Sequence, residues 1–286
     1  MNGPSVRDIL KKSEAFLAER GVDSPRLSAE LLLAATLGLD RLHLFLDLDR
    51  PLAEDEIARA RDLMARRGRG EPVSLILGRK EFFGLEFCVS PDVLVPRPET
   101  EMLLEEAQAR IAADAEFLAV DLGTGSGCLA VGLAVLFPRA QVAAVDLSPA
   151  ALAMARCNAE RHEVLDRVLL ARADAGRCPL PDGSCRLVLA NPPYVTDGEY
   201  AELSPEVREY EPRLALVGGE DGLDQVRAQA PEVARLLEPG GLGFMEIGWR
   251  QGPAALEIFQ SLGAFSSAGV LRDLAGHDRV VAVQRA

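Results

Sequence analysis

Apolar residues recur at three- and four-residue steps from residue 6 to 18 and again from 27 to 37, the spacing of helices that bury one face. The first run stops near Gly21, and Ser24-Pro25 offers the second a cap and a first-turn proline. A third helix is predicted over 54–67, ended by Arg67-Gly68-Arg69-Gly70, so residues 1–72 read as a small helical bundle. From 73 the pattern shifts to short β-type runs, Ser-Leu-Ile-Leu and Glu-Phe-Cys-Val-Ser, separated by Gly78 and Gly84. They predict a hairpin or extended connector over 73–97 and place the domain boundary there.

After Pro98, strand-like runs at 117–122, 141–146, 167–171, 186–190 and 243–247 alternate with helix-like segments at 128–137, 149–161, 223–237 and 252–262. A run at 279–284 is predicted as an edge strand. Such alternation predicts an α/β domain over 98–286, with a mostly parallel sheet covered on both faces by helices.

Composition narrows the classes. The 286 residues are 48% hydrophobic and 26% charged, enough apolar material for a sizeable core and too much for a disordered chain. Lys and Arg number 31 against 44 Asp and Glu, a formal charge of −13, which disfavours a grip on nucleic acid. Five cysteines (Cys88, Cys128, Cys157, Cys178 and Cys185) form no C-x-x-C pair and read as reduced thiols of a cytosolic protein. With three histidines, no cluster has metal-ligand spacing, so no metal is expected. The N-terminal segment lacks a leader-like apolar run, and no apolar stretch approaches the roughly 20 residues of a span, which predicts neither secretion nor membrane insertion. Nothing calls for an obligate dimer, so a monomer in the cytoplasm is expected.

Three motifs carry chemistry. In Asp121-Leu122-Gly123-Thr124-Gly125-Ser126-Gly127 a strand ends in an acid and turns through three glycines into a helix. Glycines there let backbone N–H groups surround a ligand. The third glycine arrives one residue too early for a dinucleotide fingerprint, and Asp121 suits a ligand with an amine better than a pyrophosphate. The turn therefore points to a nucleoside cofactor, or to a plain tight β–α turn. Asp146 ends the next strand, 19 residues past Gly127, where a carboxylate can accept both ribose hydroxyl protons. Its competing role is to cap the following helix, for which Ser148 is the rival. Asp174, after the third strand, is the matching candidate for an adenine amino group, or a solvated loop acid. Asn191-Pro192-Pro193-Tyr194 follows the apolar strand 187–190, and its two prolines fix the backbone beside an amide and an aromatic face. Such a turn suits a planar amide or amidine nitrogen.

With these motifs in place, the chain resembles the S-adenosylmethionine-dependent amino-methyltransferases, and more specifically the HemK-type release-factor glutamine methyltransferases. The narrower resemblance rests on Glu81-Phe82-Phe83-Gly84-Leu85-Glu86-Phe87, on Leu94-Val95-Pro96-Arg97-Pro98-Glu99-Thr100-Glu101 and on Glu211-Pro212-Arg213-Leu214-Ala215-Leu216. Gly-Gly-Glu-Asp-Gly-Leu at 218–223 and Glu246-Ile247-Gly248-Trp249-Arg250-Gln251-Gly252 add to it, and it spans essentially the whole chain. It implies a Rossmann-like class I methyltransferase fold, with the helical bundle as a docking module for a protein substrate. S-adenosylmethionine would be held by Asp121, Gly123, Thr124, Gly125, Ser126, Gly127, Asp146, Asp174, Ala175 and Asn191. Ala175 stands where relatives often carry an aromatic residue that packs near adenine, so that packing must come from elsewhere. Residues 72–78 lack the family's usual tyrosine, which is expected to affect packing more than chemistry.

The family's substrate is the glutamine of the Gly-Gly-Gln motif in class 1 peptide-chain release factors, methylated on the side-chain nitrogen (N5). The resemblance implies a site formed by Asn191, Pro192, Pro193 and Tyr194. The Asn191 side-chain oxygen and the Pro192 carbonyl would accept the two amide N–H groups, and Tyr194 would stack on the amide plane. Arg97 either shapes the target pocket or forms a structural ion pair. The alternative, an adenine-N6 nucleic-acid methyltransferase, needs a flipped base and a basic groove. Residues 195–222 instead carry Asp197, Glu199, Glu202, Glu206, Glu209, Glu211, Glu220 and Asp221 against Arg208 and Arg213. An acidic enzyme surface suits a basic release-factor tip.

Overall fold

The structure, a computed structural model, describes residues 3–286; the first two positions of the N-terminal segment lie outside the described residues. The chain divides into two compact units, one of residues up to 79 plus 205–210, the other of residues 80–204 and 211–286.

The first unit holds α1 (Val6–Ala18), α2 (Pro25–Leu37), α3 (Arg41–Leu46), α4 (Glu54–Arg67) and α5 (Val73–Leu77). Its core gathers Leu17, Leu32, Leu33, Leu44, Met64 and Ile76. Ser5 caps α1 by accepting the Asp8 N–H at 3.2 Å, while the Asp8 carboxylate accepts the Ser5 N–H at 3.0 Å. Ser24 does not cap α2: its φ of +51° turns the chain left-handed and its hydroxyl makes no capping bond, so Pro25 at the first helical position opens the helix. Residues 73–77, predicted as a β-type run, form α5 instead, because Ile76 completes the bundle core and Gly78, at φ +67°, closes the helix in the left-handed conformation. Residues 205–210 join this unit through a 2.5 Å ion pair between Arg67 and Glu206 and a hydrogen bond from the Tyr210 hydroxyl to the Arg69 carbonyl.

The second unit begins inside a hairpin of β1 (Arg79–Phe82) and β2 (Leu85–Cys88), from residue 80 onward. Phe83 and Gly84 both have positive φ, the geometry of a two-residue turn matched to strand twist. Then follow α6 (Glu101–Arg110), β3 (Leu118–Leu122), α7 (Cys128–Leu136), β4 (Gln141–Asp146), α8 (Pro149–Arg161), β5 (Val168–Arg172), β6 (Cys185–Ala190) and α9 (Asp197–Glu202). After α10 (Pro205–Arg208), which belongs to the first unit, come α11 (Asp224–Leu236), β7 (Leu237–Glu246), α12 (Gly252–Ser261), β8 (Phe265–Arg272) and β9 (Asp278–Arg285). The seven-stranded sheet has the order β5-β4-β3-β6-β7-β9-β8. The strands from β5 to β7 pair in parallel, and β9 runs antiparallel to both its neighbours. The run predicted as an edge strand at 279–284 therefore lies inside the sheet, in β9; the edge is β8, whose exposed serines and glycine hide its period.

Alternate residues of the central strands feed two cores. Leu187 and Leu189 join Leu103, Leu104, Leu133 and Phe137 on one face, while Val188 and Ala190 join Val120, Val145, Val226, Val233 and Phe259 on the other. Burial at roughly 1.5–3 kcal/mol for each large side chain holds the sheet rigid. The loops that leave the C-terminal ends of β3, β4 and β6 are thus set on a firm edge, the usual place for a ligand in such sheets. Among the described residues no helix is long and apolar enough to cross a membrane.

The acids of residues 195–222, expected to face only Arg208 and Arg213, are paired in part by arginines from outside that segment as well as by those two. Arg97 pairs with Glu211 at 2.5 Å, Arg227 with Asp221, Arg67 with Glu206, and Arg213 with Asp197 at 2.7 Å.

Candidate active site

The turn after β3 holds Gly123, Gly125 and Gly127 at φ +77°, +55° and +81°. A Cβ on Gly127 would also lie 2.9 Å from the Cα and Cβ of Ala155 on α8, so only glycine lets the start of α7 approach the middle of α8 this closely. The Gly123 and Thr124 N–H groups donate to the Val145 carbonyl at 2.8 and 2.9 Å, which ties the turn to β4. Asp121 lies beneath the turn, 1% exposed, and the structure does not place it on the cavity wall where an amine would meet it. Its Oδ2 accepts from the Thr124 hydroxyl at 2.6 Å and from the Ala130 N–H at 3.2 Å, whereas Oδ1 has no partner among the described residues.

Asp146, at the tip of β4, accepts the Gly125 N–H at 2.9 Å on one oxygen and the Ser148 N–H at 2.8 Å on the other. Ser148, not Asp146, caps α8, its hydroxyl accepting the Ala151 N–H at 3.2 Å. The carboxylate thus faces a cavity of about 250 Å³ together with Gly123, Thr124, Gly125 and Ser126. Gly127, the last residue of the turn, is not among those that line it. Asp174 and Ala175 lie on the same cavity, with Asp174 fixed by the Gly176 N–H at 2.8 Å. Leu147, half exposed, and Gln229, buried with its Oε1 unpartnered, also line it and carried no motif signal.

The turn after β6 forms the other end of the cavity, through Asn191, Pro192 and Pro193, with Arg97 and Thr100 alongside. The Asn191 amide Nδ2 donates to the Thr100 hydroxyl at 2.9 Å, which leaves its oxygen without a donor among the described residues. Tyr194 is not on the cavity wall. Its hydroxyl donates to Glu246 Oε1 at 3.1 Å, because a fully buried carboxylate at the end of β7 needs donors for both oxygens, and Thr100 supplies the other at 2.6 Å. The Tyr194 hydroxyl is therefore an anchor for the turn. Burial and the Glu246 carboxylate raise the Tyr194 phenol above its ordinary range.

The remaining family-like segments hold this turn. Gln251 donates from Nε2 to the Tyr194 carbonyl at 2.9 Å and accepts the Gly248 N–H at 2.8 Å on its oxygen. A Cβ on Gly222 would collide with the same Tyr194 carbonyl and with that Gln251 amide, so the 218–223 loop needs glycine for close approach. Arg97 both lines the cavity and pairs with Glu211, which also accepts the Val95 N–H at 3.2 Å. Asn158 of α8, completely buried, donates to the Cys88 and Ser126 carbonyls at 3.0 and 2.8 Å and so links the hairpin to the glycine turn. Its place within an ordinary helical pattern gave no sign of this.

Desolvation pushes the Asp121 and Glu246 carboxyls up to about 7 from ordinary values of 3.8 and 4.5, although the hydroxyl bonds to each pull the other way. An acid whose folded pKa lies above its unfolded one supports folding when protonated. Its contribution is whole below about pH 4 and is lost as the pH rises through about 7. The thermal unfolding midpoint is therefore expected to fall from about pH 5 to about pH 8, and Asp121→Asn and Glu246→Gln should each flatten that slope; equal slopes in all three proteins would contradict it.

Comparison with known proteins agrees with this architecture. The PrmC N-terminal domain model matches residues 8–78, and a methyltransferase domain model matches residues 119–210. A release factor glutamine methyltransferase of Geobacter sulfurreducens is 46% identical over 97% of this chain and 95% of its own length. One of Nitratidesulfovibrio vulgaris is 42% identical over 98% and 95%. The crystal structure of a methyltransferase from Pyrococcus furiosus shares the fold, with TM-score 0.53 at 19% identity over 78% of this chain and 98% of that one. Similarity at this level across both units, together with glycine-turn, Asp146 and Asn-Pro-Pro-Tyr loops gathered on one cavity, makes this chain a member of the release factor glutamine methyltransferase family.

Proposed function

We propose that the protein methylates the side-chain nitrogen (N5) of the glutamine in the Gly-Gly-Gln motif of class 1 peptide-chain release factors, with S-adenosylmethionine as methyl donor. The observation that carries this reading is the Asn191 amide, whose nitrogen is committed to Thr100 so that its oxygen is left to accept an N–H beside the cavity.

The cavity fits the donor. The glycine turn brings bare backbone to one wall, and a Cβ on Gly123 would find only open space there. Asp146 keeps unused lone pairs for ribose hydroxyls, and Leu147 offers an apolar surface near Asp174 and Ala175 where no aromatic residue stands. Asp121, beneath the turn, holds it in shape through the Thr124 hydroxyl and the Ala130 N–H. Bound there, S-adenosylmethionine supplies an electrophilic methyl group on a sulfonium.

The chain's own residues do the rest. A carboxamide nitrogen is a poor nucleophile because its lone pair is delocalised, so position and charge stabilisation decide the rate. Asn191 Oδ1 and the Pro192 carbonyl accept the two N–H groups, hold the nitrogen in near-attack geometry and face the positive charge that develops on it. Pro192 and Pro193 stiffen the turn, and Tyr194 fixes it from behind. Since the donor is already activated, no general base is needed before transfer. The helical unit is the proposed docking module, with exposed Leu42 and Leu46 on α3 as apolar contacts for a protein partner.

Transfer of labelled methyl to a release factor, compared with the variant whose Gly-Gly-Gln glutamine is alanine, tests the reading. Label is expected in the first and none in the second; equal labelling of both would overturn it.

A further inference from the structure

We infer that Thr100 and Glu246 are positioning residues that fix which end of the Asn191 carboxamide faces the target nitrogen, an inference that rests on the reading of Asn191 above. The two ends of an asparagine amide are alike in shape and opposite in hydrogen bonding. Nothing within Asn-Pro-Pro-Tyr decides between them. With its NH2 outward, Asn191 would meet the N–H groups of the incoming amide donor against donor, and the turn would repel its substrate.

The hydroxyl of Thr100 makes the choice. It has one proton, and that proton is given to Glu246 Oε2 at 2.6 Å. What remains on the oxygen is acceptor capacity alone, so Asn191 at 2.9 Å can meet it only with Nδ2, and Oδ1 is turned the other way. Glu246 is completely buried and its other oxygen is held by the Tyr194 hydroxyl at 3.1 Å. A proton gained by Glu246 on that second oxygen would leave the Thr100 bond unchanged. Thr100 is itself 2% exposed, in the turn Pro98–Thr100 that opens α6, and Glu246 ends β7. The choice is therefore set by two buried groups, Thr100 and Glu246, with the half-buried Tyr194 holding the second carboxylate oxygen, a fully bonded polar network that specifies one arrangement.

Thr100→Val keeps the shape and removes both proton and lone pairs. Its kcat for methyl transfer to a release factor is expected to fall about 10–100-fold, the scale of a misplaced reacting group. Cofactor affinity should stay within about two-fold of wild type, since the same shape fills the wall. Thr100→Ser should recover most of the lost rate. In an Asn191→Ala background Thr100→Val should cost less than about two-fold more, because the group it orients is gone. A full-rate Thr100→Val protein, or an equal loss with and without Asn191, would overturn the inference. Thr100→Ala, which adds no bulk, serves if the valine protein fails to bind cofactor. A second measurement needs no substrate: the Asn191 side-chain amide proton bonded to Thr100, followed by NMR, should be protected from exchange in wild type and in Thr100→Ser and lose that protection in Thr100→Val and Thr100→Ala. Lack of that protection in wild type would refute the orientation. Absence of methyl transfer by wild type would instead count against the proposed substrate, with the orientation decided by the NMR result.

Discussion

Replacing Asn191 with alanine is expected to lower methyl transfer about 10²–10³-fold, the loss seen when one preorganised polar partner of a transition state is removed. Cofactor affinity should change far less, because the glycine turn and Asp146 stand on other loops of the cavity. The loss should appear in kcat, since Asn191 faces a charge that grows only as the methyl group moves. The variant also strands Thr100, whose acceptor then has no donor, yet Thr100 keeps its 2.6 Å bond to Glu246 and the buried carboxylate stays satisfied. Stability should therefore fall only by about 1–3 kcal/mol, the cost of one orphaned polar group. Rapid-quench transfer of labelled methyl, with cofactor binding measured separately, checks both halves. Near-normal turnover would remove Asn191 from the chemistry.

Much of this site was legible because its parts are contiguous. The glycine turn, the acid ending β4 and Asn-Pro-Pro-Tyr each place their residues through a local rule, and the alternation of periods around them announces the parallel sheet. What escaped depends on partners distant in sequence. The Thr100–Glu246 bond spans 146 positions and the Asn191–Thr100 bond spans 91, so neither the choice of amide end nor the anchoring of Tyr194 can be read from the motif itself. The same cause explains the acids of residues 195–222, several of which are paired by Arg67, Arg97 and Arg227 from outside that segment. Local misreadings have local reasons. Residues 73–77 are too short for periodicity to separate helix from strand, and Ile76 is claimed by the bundle core. In β8 a run of small residues gave no alternation to detect.

Asp146→Ala should act at the opposite end of the cavity and weaken binding of the methyl donor about 10–100-fold, the worth of roughly 1.5–3 kcal/mol for hydrogen bonds to a charged group. Two effects add here. The ribose hydroxyls lose their acceptor, and the Gly125 and Ser148 N–H groups lose the carboxylate that holds the turn against β4 at 2.9 and 2.8 Å. Asn does not restore both functions: a carboxamide has one acceptor oxygen and would present an NH2 to one of those N–H groups. Asp146→Asn is therefore expected to lie closer to Asp146→Ala than to wild type, whereas a helix cap would accept the exchange with little cost. Because Ser148 holds the α8 cap, helix stability is expected to stay near wild type in both proteins. At saturating donor the rate should recover substantially, since Asn191 and its supports are untouched, and this separates Asp146 from the residues of the transfer step. Calorimetric titration of S-adenosylmethionine into the two variants decides the matter: affinity equal to wild type in Asp146→Ala would leave the carboxylate a purely structural part of the turn.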